Sequence, residues 1–451
     1  MHETRRDHGS GRWGRTLRRW TVLLTTCFAV LGATATADAR TPPGQDPFYQ
    51  YSGSTPLASI APGTVLKTRT VPYHVLGVPF LLKTTQLLYR STGQRGQPTT
   101  NVTSVVRPLF PIGKQRVVSY QSFYDSLNPD DEPSYAISGG VTLGGLIPNV
   151  ETAILAPLLL KGYGVVIPDT EGQQANFAAG PEYGYNTLDS LRAAFNSSTV
   201  GLPSTTDVAL AGYSGGAIAT GWAAELAPSY APGINAKIVG SSMGGVLVHP
   251  AHNLRYVEGS PVWAGVLPMA VIGIARAFDI PVAPYLSAYG EQVYDELHDA
   301  SIINALGQYP GLTWAQLTTP QFPTLESSPI FVNAVNQLIM GSTGSPTKPM
   351  QITQGAGGTL EGTPGNKPGI GPGDGVMVAG DVRTLARQYC ADGVRVKYSQ
   401  FDALSHLPAA LAWYPEMLDW VSDRFNGWTT APSNCSSIAP GNPLDPVVPN
   451  P

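Results

Sequence analysis

The spacing of apolar and polar residues predicts a series of β-strands from about Thr64 onward. Early segments alternate and are rich in β-branched residues, which favours an antiparallel or mixed sheet edge. These early segments are Val71–Leu76, Thr84–Arg90 and Thr99–Val106. Later segments are short apolar runs, as expected for buried strands of a parallel sheet. They are Arg116–Gln121, Gly164–Asp169, Asp207–Gly212, Lys237–Gly240, Pro349–Gln354 and Val394–Phe401.

Between these strands lie segments whose apolar residues recur at helical spacing or that are rich in alanine. They are Thr152–Gly162, Thr187–Phe195, Gly216–Ala227, Val378–Tyr389 and Ala409–Phe425. Strands that alternate with helices indicate a mostly parallel sheet covered on both faces. The chain is therefore predicted to be an α/β protein.

The alternation stops in residues 246–344. Two longer helical patterns occur there, Val262–Phe278 and Tyr289–Leu306, with bulky apolar residues and interspersed prolines. We predict that residues 246–344 form a helical cap inserted into a core made of residues 40–245 and 345–451. Such an apolar composition suits a tunnel for an apolar ligand, but a packed helical subdomain needs the same residues.

The N-terminus has the pattern of an export signal. A basic leader precedes the apolar run Trp20–Leu31 and the small-residue stretch Ala33–Ala39. This order predicts a signal peptide over residues 1–39, cleaved after Ala39 or alternatively after Ala35 or Ala37, and hence a secreted protein. An uncleaved anchor is the alternative, although the run is shorter than the roughly 20 apolar residues that a membrane span needs. No stable membrane span is expected elsewhere.

The number and sign of the charged residues limit which kinds of partner the protein is expected to bind. The chain of 451 residues is only 13% charged, about half the usual share of a soluble domain. Without residues 1–39, which hold six arginines and three acidic residues, it has 21 basic and 28 acidic residues and a net charge of −7. A basic face for nucleic acid is therefore not expected.

Three cysteines are present, and Cys27 lies in the predicted signal. Cys390 and Cys435 remain, and two thiols in an exported protein usually pair. In the chain-entropy model, closing this loop stabilises the fold by roughly 4 kcal/mol. Two free thiols are the alternative.

A candidate catalytic motif is present at Gly212-Tyr213-Ser214-Gly215-Gly216, which fits the G-x-S-x-G pattern. The motif follows an apolar strand and opens a helix, as a nucleophile elbow requires. A serine hydroxyl needs an adjacent base and a group that orients the base. We predict Ser214 as the nucleophile; the alternative is a glycine-rich turn with a chance serine.

In this type of fold the acid and the histidine follow the serine in that order. Among the histidines after Ser214, only His406 follows a late strand and precedes the final amphipathic helix, so it is the predicted base. The acid should lie between the strand Pro349–Gln354 and His406. We favour Asp374, on a glycine-flanked loop before a helix, with Asp381 as the alternative.

Ester cleavage also needs N–H donors for the negative charge that forms on the carbonyl oxygen. One donor should be the amide of Gly215, the residue after the nucleophile. The second should come from a loop after an early strand, and Asp125 lies in such a loop. An ordinary Asx turn is the alternative interpretation of that loop.

These motifs together resemble the secretory lipase family, the α/β-hydrolases typified by fungal lipase A and its actinobacterial relatives. The similar stretches are residues 117–126, 162–169, 188–194, 212–216 and 390–398, followed by His406. The resemblance implies a lid-bearing esterase or lipase with an α/β-hydrolase fold. It also implies that Ser214, Asp374 and His406 are catalytic and that Asp125 and Gly215 form the oxyanion hole. The chain differs from the common pattern in a long loop before Asp374 and in lacking an early cysteine pair.

The predicted function is hydrolysis of acyl esters or lipids, including lipids at a lipid–water interface. An acyltransferase with the same three residues is one alternative, because sequence does not separate attack by water from attack by an alcohol. A secreted binding protein with a silent site is another. No cofactor or metal is expected, since the chain has no H-E-x-x-H motif and no close Cys/His set.

Overall fold

The computed structural model describes residues 40–427 and 430–450. The predicted signal peptide, its cleavage positions and Cys27 lie outside the described residues. Residues Arg40–Pro451 form one compact unit. Within the described ranges, no helix combines the length and the hydropathy that crossing a bilayer requires.

The described part of the chain contains a nine-stranded sheet. Its strands are β1 Val65–Val75, β2 Val78–Thr92, β3 Pro98–Val106, β4 Arg116–Gln121, β5 Gly164–Pro168, β6 Asp207–Tyr213, β7 Ile238–Gly244, β8 Met350–Gly355 and β9 Val396–Phe401. Their order across the sheet is β1-β2-β3-β5-β4-β6-β7-β8-β9. The first three strands are antiparallel to their neighbours, and β4 to β9 are parallel. This confirms the predicted α/β fold with its antiparallel edge.

Helices connect and cover the strands. They are α1 Pro133–Ile137, α2 Leu146–Ile154, α3 Ala156–Leu160, α4 Gly180–Asn196, α5 Gly215–Tyr230, α6 Pro232–Asn235, α7 Pro250–Val257, α8 Val266–Phe278, α9 Ala288–Leu297, α10 Ile302–Ala305, α11 Trp314–Leu317, α12 Pro329–Asn336, α13 Ala379–Ala391 and α14 His406–Phe425.

Two predicted helices are each divided in the structure. The segment predicted as Thr152–Gly162 is split at Leu155 into α2 and α3. Pro157 opens α3 and has no N–H for the preceding turn, so the helix is interrupted there. The segment predicted as Tyr289–Leu306 is split into α9 and α10, because Ser301 forms a capping box with Asn304 and starts a new helix.

Alternate residues of the parallel strands enter two hydrophobic layers. Val117 and Leu210 pack in a cluster with α4, α5 and α13 on one face of the sheet. Val118 and Ala211 pack in a second cluster with α3 and α14 on the other face. Both faces are therefore covered, as the unbroken apolar runs of these strands require.

The chain between β7 and β8 contains helices α7 to α12, which share a third hydrophobic cluster. Val376 and Met377, from the loop before α13, belong to this cluster, and so does Phe177, from the loop before α4. The helical segment therefore packs directly against two loops at the carboxyl ends of the parallel strands.

A disulfide joins Cys390, in α13, to Cys435, in the C-terminal tail, as predicted. Beyond it the tail runs along the protein to the helical segment. Asn336 of α12 and the main chain of Val447 exchange two hydrogen bonds of 2.9 and 2.8 Å. The tail therefore joins the core to the segment between β7 and β8, a connection that its proline-rich sequence did not indicate.

Candidate active site

Ser214 lies at the sharp turn between β6 and α5, with φ 53° and ψ −121°. Only glycine fits at positions 212 and 216 of this turn. A Cβ at position 216 would lie 2.1 Å from the carbonyl oxygen of Gln121, and one at position 212 would lie 2.2 Å from the carbonyl oxygen of Gly216. The strained backbone therefore holds the Ser214 hydroxyl above the carboxyl end of the sheet, as in a nucleophile elbow.

His406 is the first residue of α14 and is buried. Its Nε2 lies 2.8 Å from Oγ of Ser214, and its Nδ1 lies 2.8 Å from Oδ2 of Asp374. The main-chain N–H of His406 also donates to the carbonyl oxygen of Asp374, at 2.7 Å. The fold thus brings the three predicted catalytic residues into one hydrogen-bonded line.

The carboxylate of Asp374 is held by three further donors. Its Oδ1 accepts from the amides of Val376 and Met377, at 3.1 and 2.8 Å. Its Oδ2 accepts from Nε2 of Gln354, at 2.9 Å. Sequence reasoning missed Gln354; its only signal was a polar residue near the end of the buried strand β8. With its oxygens held in this way, the carboxylate can fix the orientation of the imidazole.

Asp381, the alternative candidate for the acid, contacts His252 and Asn442 and not His406. Its carboxylate is 3.0 Å from Nδ1 of His252 and accepts from Asn442 at 2.7 Å. His252 stacks on His249, with ring centroids 3.9 Å apart. His298 is in an exposed turn after α9. In the part of the chain that the structure describes, no group of three or more His, Cys, Asp or Glu side chains could hold a metal ion.

The environment of His406 favours its protonated form. Burial alone lowers the pKa of the imidazole, but the charge of Asp374 and its hydrogen bond outweigh burial, so the pKa is raised overall. The Trp263 indole packs nearly perpendicular to the imidazole, with ring centroids 5.3 Å apart, and the ring of Tyr213 packs against it at 5.1 Å. The proton acceptor is therefore largely shielded from water.

Asp125 follows β4, which is the neighbour of β6 in the sheet. Its φ is 40°, in the left-handed region. Its side chain lies against Gly215, where a Cβ would be only 1.7 Å from Oδ1 of Asp125. Burial raises the pKa of Asp125 to about 7, although the nearby His406 and the Gly215 N–H lower it. When it is protonated, the carboxyl of Asp125 can donate to the carbonyl oxygen of a substrate together with the main-chain amide of Gly215.

Two buried glutamates that sequence reasoning missed hold the loop of Asp125. Glu171 accepts from the amide of Ser126 at 3.1 Å and from the hydroxyl of Tyr183 at 3.0 Å. Glu151, on α2, accepts from the hydroxyl of Ser122 and from that of Tyr120. Sequence alone does not mark these buried glutamates, because the groups that donate hydrogen bonds to them come from distant segments of the chain.

A cavity opens beside Ser214 and runs under the helical segment, with an empty volume of about 590 Å³ including the part open to solvent. Asp125, Ser214 and Gly215 line one part of it, and the remaining walls are almost entirely apolar. Leu254, Val266, Ala270, Ile274 and Met377 are among them. Ser214 therefore lies in the wall of a pocket that suits an acyl chain.

The sheet order, the elbow and the order Ser214, Asp374, His406 along the chain are those of the α/β-hydrolase enzymes. The family model described as secretory lipase matches residues 139–366. The chain belongs to the secretory lipase family and is a hydrolase of the lipase and esterase type.

Relatives with known names cover most of the chain. Lipase 4 of Candida albicans is 30% identical over 409 residues, which are 88% of this chain and 84% of that protein. A protein of Mycobacterium tuberculosis named as a probable inactive lipase is 31% identical over 396 residues, which are 85% and 83% of the two chains. Among solved structures, Candida antarctica lipase A in its closed state is similar, with a TM-score of 0.77, 29% identity and coverage of 90% and 91%.

Proposed function

We propose that this protein hydrolyses acyl esters through a covalent acyl-enzyme formed on Ser214. The observation that carries the proposal is the line of two 2.8 Å contacts from Ser214 through His406 to Asp374. His406 is the base, and Asp374 holds the imidazole so that Nδ1 carries the hydrogen and Nε2 is free to accept a proton. As Oγ of Ser214 attacks the ester carbonyl, its proton passes to Nε2.

The negative charge then forms on the former carbonyl oxygen next to Asp125 and Gly215. The Gly215 amide donates to this oxygen, and the carboxyl of Asp125 supplies a second donor when it is protonated. Collapse of the intermediate breaks the ester bond, and His406 returns its proton to the departing alcohol. Water repeats the sequence on the acyl-enzyme, releasing the fatty acid and restoring Ser214.

The acyl chain of the substrate occupies the apolar cavity beside Ser214. Residues 246–344 act as the cap that covers it, since Val266, Ala270 and Ile274 on one face of α8 line this cavity. The protein acts outside the cell, after removal of residues 1–39. The secretory lipase match and the leader sequence both support export.

The direct test is a kinetic series with p-nitrophenyl esters of increasing acyl length, comparing the native protein with Ser214→Ala and His406→Ala. Native turnover with both variants about 10³-fold slower or more supports the assigned roles. Because one relative carries a name that denotes inactivity, turnover of the native protein is measured first. Absence of turnover on every ester, or an undiminished Ser214→Ala variant, would contradict the proposal. Product analysis with an added alcohol separates hydrolysis from acyl transfer.

A further inference from the structure

The tip of the hairpin between β1 and β2 presents large apolar side chains to solvent. Leu76, Val78, Phe80 and Leu81 are all exposed, and Leu81 is 84% exposed. Residues 70–82 contain no Asp, Glu, Lys or Arg. Soluble proteins rarely expose several neighbouring apolar residues without a function for them.

The hairpin tip contacts a second segment of the same character. A Cβ at Gly77 would lie 2.8 Å from Cγ2 of Val141, and the amide of Leu76 donates to Oγ1 of Thr152 in α2 at 3.2 Å. Val141 and Leu143 are exposed, as are Leu146 and Val150, which lie one turn apart on α2. Residues 133–150 likewise carry no charged side chain.

A third segment without Asp, Glu, Lys or Arg, residues 403–415, includes the buried His406 and so begins next to the active site. On α14, Leu407 and Leu411 are exposed one turn apart, directly after His406. Tyr414 continues this stripe, and its hydroxyl donates to the carbonyl oxygen of Ile154 at the end of α2. The stripes on α2 and α14 therefore meet. Together we name the exposed side chains of residues 70–82, 133–150 and 403–415 the uncharged face.

We propose that the uncharged face docks on an electrically neutral lipid surface, with its α14 edge carrying the active site to that surface. This inference rests on the proposed function and adds to it the surface that meets the substrate phase. Protein interfaces are enriched in Tyr, Trp, Phe, Met and Arg, whereas the large apolar side chains that this face exposes are Leu and Val with a single Phe. Binding to a lipid surface scales with the apolar area that is buried, and cations add attraction only to anionic lipids. A face without cations therefore binds neutral lipids with little dependence on salt.

The position of the face also favours a lipid. Its α14 stripe starts directly after the buried His406, and Val150 of its α2 stripe precedes Glu151 in the chain. Glu151 is buried and accepts a hydrogen bond from the hydroxyl of Ser122 beside the Asp125 loop. Docking by this face brings a lipid surface to the flank of the catalytic residues. The helical segment 246–344 meets His406 from another side, through Trp263.

The first experiment measures partition onto phosphatidylcholine vesicles, using Ser214→Ala protein so that no lipid is hydrolysed. We compare it with the same protein carrying Leu81→Asp and Val141→Asp. Leu160→Asp is the matched control, since Leu160 is 83% exposed and lies outside the face. We expect at least about a tenfold loss of partition in the double variant and no loss in the control. Raising the salt concentration to about 0.5 M should leave partition of the parent protein unchanged.

The second experiment measures turnover with Ser214 intact. The double variant should lose at least about tenfold in rate on emulsified long-chain triacylglycerol while keeping its rate on soluble p-nitrophenyl acetate. Equal partition of parent and double variant, or an equal loss in Leu160→Asp, overturns the proposal. So does a native dimer that the double variant dissociates without any change in vesicle partition, because the face then binds a second copy. If the native protein cleaves no ester, the proposed function fails while vesicle partition still tests the docking.

Discussion

Nδ1 of His406 lies 2.8 Å from Oδ2 of Asp374, although 32 residues separate them in the chain. A second hydrogen bond joins the backbones of the same two residues, since the main-chain N–H of His406 donates to the carbonyl oxygen of Asp374 at 2.7 Å. Two hydrogen bonds thus fix the start of α14 on the loop of Asp374, and the imidazole is aimed at Ser214 before any substrate arrives.

Asp374→Asn should lower kcat by about 10⁴ with little change in KM, because an amide cannot hold the imidazole in the tautomer that accepts the serine proton. Steady-state kinetics on a soluble ester measures this change. Asp381→Asn is the matched control and should keep kcat within about threefold, since Asp381 contacts His252 rather than His406. A large loss only in the Asp381 variant would show that the acid is assigned to the wrong residue.

The rate should pass through a narrow maximum as pH changes. The raised pKa of His406 means that the ring stays protonated to a higher pH than usual, and activity is lost as pH falls through that pKa because only the neutral ring is a base. Asp125, with a pKa of about 7, ionises as pH rises and then repels the forming oxyanion. Because His406 and Asp125 interact, the acidic and alkaline limbs of the kcat/KM profile give apparent pKa values of the pair and not of either residue alone.

Asp125→Asn should remove the alkaline limb of that profile, because the amide donates a hydrogen bond at every pH. The variant should be slower at its optimum, by on the order of tenfold, since the amide is a weaker donor at this position. The measurement is kcat/KM for a soluble ester from acid to alkaline pH. An unchanged alkaline limb in Asp125→Asn would show that another group causes it.

Buried carboxyl groups should make the fold more stable in acid than at neutral pH. Burial raises the pKa of Glu151 and of Glu182 to about 7 and that of Glu225 to about 8, above their values in the unfolded chain. Between about pH 4.5 and 8 the folded state therefore binds more protons than the unfolded state. The stability from these groups is complete below about pH 4.5 and is lost as pH rises toward 8.

The check is Tm as a function of pH for the native protein, Glu225→Gln and Glu291→Gln. As pH rises toward 8, Tm should fall a few degrees less in Glu225→Gln than in the native protein, because no buried charge forms at that position. Glu291 is exposed on α9, so its variant should follow the native curve. A native Tm that rises from pH 5 to 8 would contradict the effect of the buried carboxyls.

Ala270→Phe should shift the preference of the enzyme from long to short acyl chains. Ala270 lines the cavity beside Ser214, whereas Val271 on the same helix lines a separate apolar cavity, of about 450 Å³ including the part open to solvent. A phenyl group at 270 should lower kcat/KM for long-chain p-nitrophenyl esters at least about tenfold relative to the acetate. Val271→Phe is the control of equal size, and an equal shift in that variant would argue against an acyl chain in the first cavity.

The double variant Cys390→Ser, Cys435→Ser should lower the free energy of unfolding by roughly 4 kcal/mol, from the length of the loop that the disulfide closes. Denaturant unfolding with and without reductant measures this, and reductant should have no effect on the double variant. Catalysis on a soluble ester at low temperature should stay unchanged, because neither cysteine lines the cavity of Ser214. Lost catalysis in a folded double variant would give the tail a further role.

The sequence by itself determined most of the sheet and the positions of the candidate nucleophile and base. Strand β4 has its predicted bounds, and β8 differs from its prediction by one residue at each end. Apolar runs specify buried strands because both faces of such a strand must be covered. The elbow is a local motif: its glycines are required by contacts within a few ångströms of Ser214, so they are visible as a pattern of residues.

Only the tertiary structure decided what surrounds these residues. Asp374 and Asp381 are both acids near the start of α13, and only the placement of α14 shows which of them lies against His406. Gln354 and Glu171 bind groups that lie 20 and 45 residues away in the chain, so no local pattern marks them. Short-range periodicity determines where strands and helices form, whereas hydrogen bonds between buried polar groups depend on which distant segments the folded chain brings together.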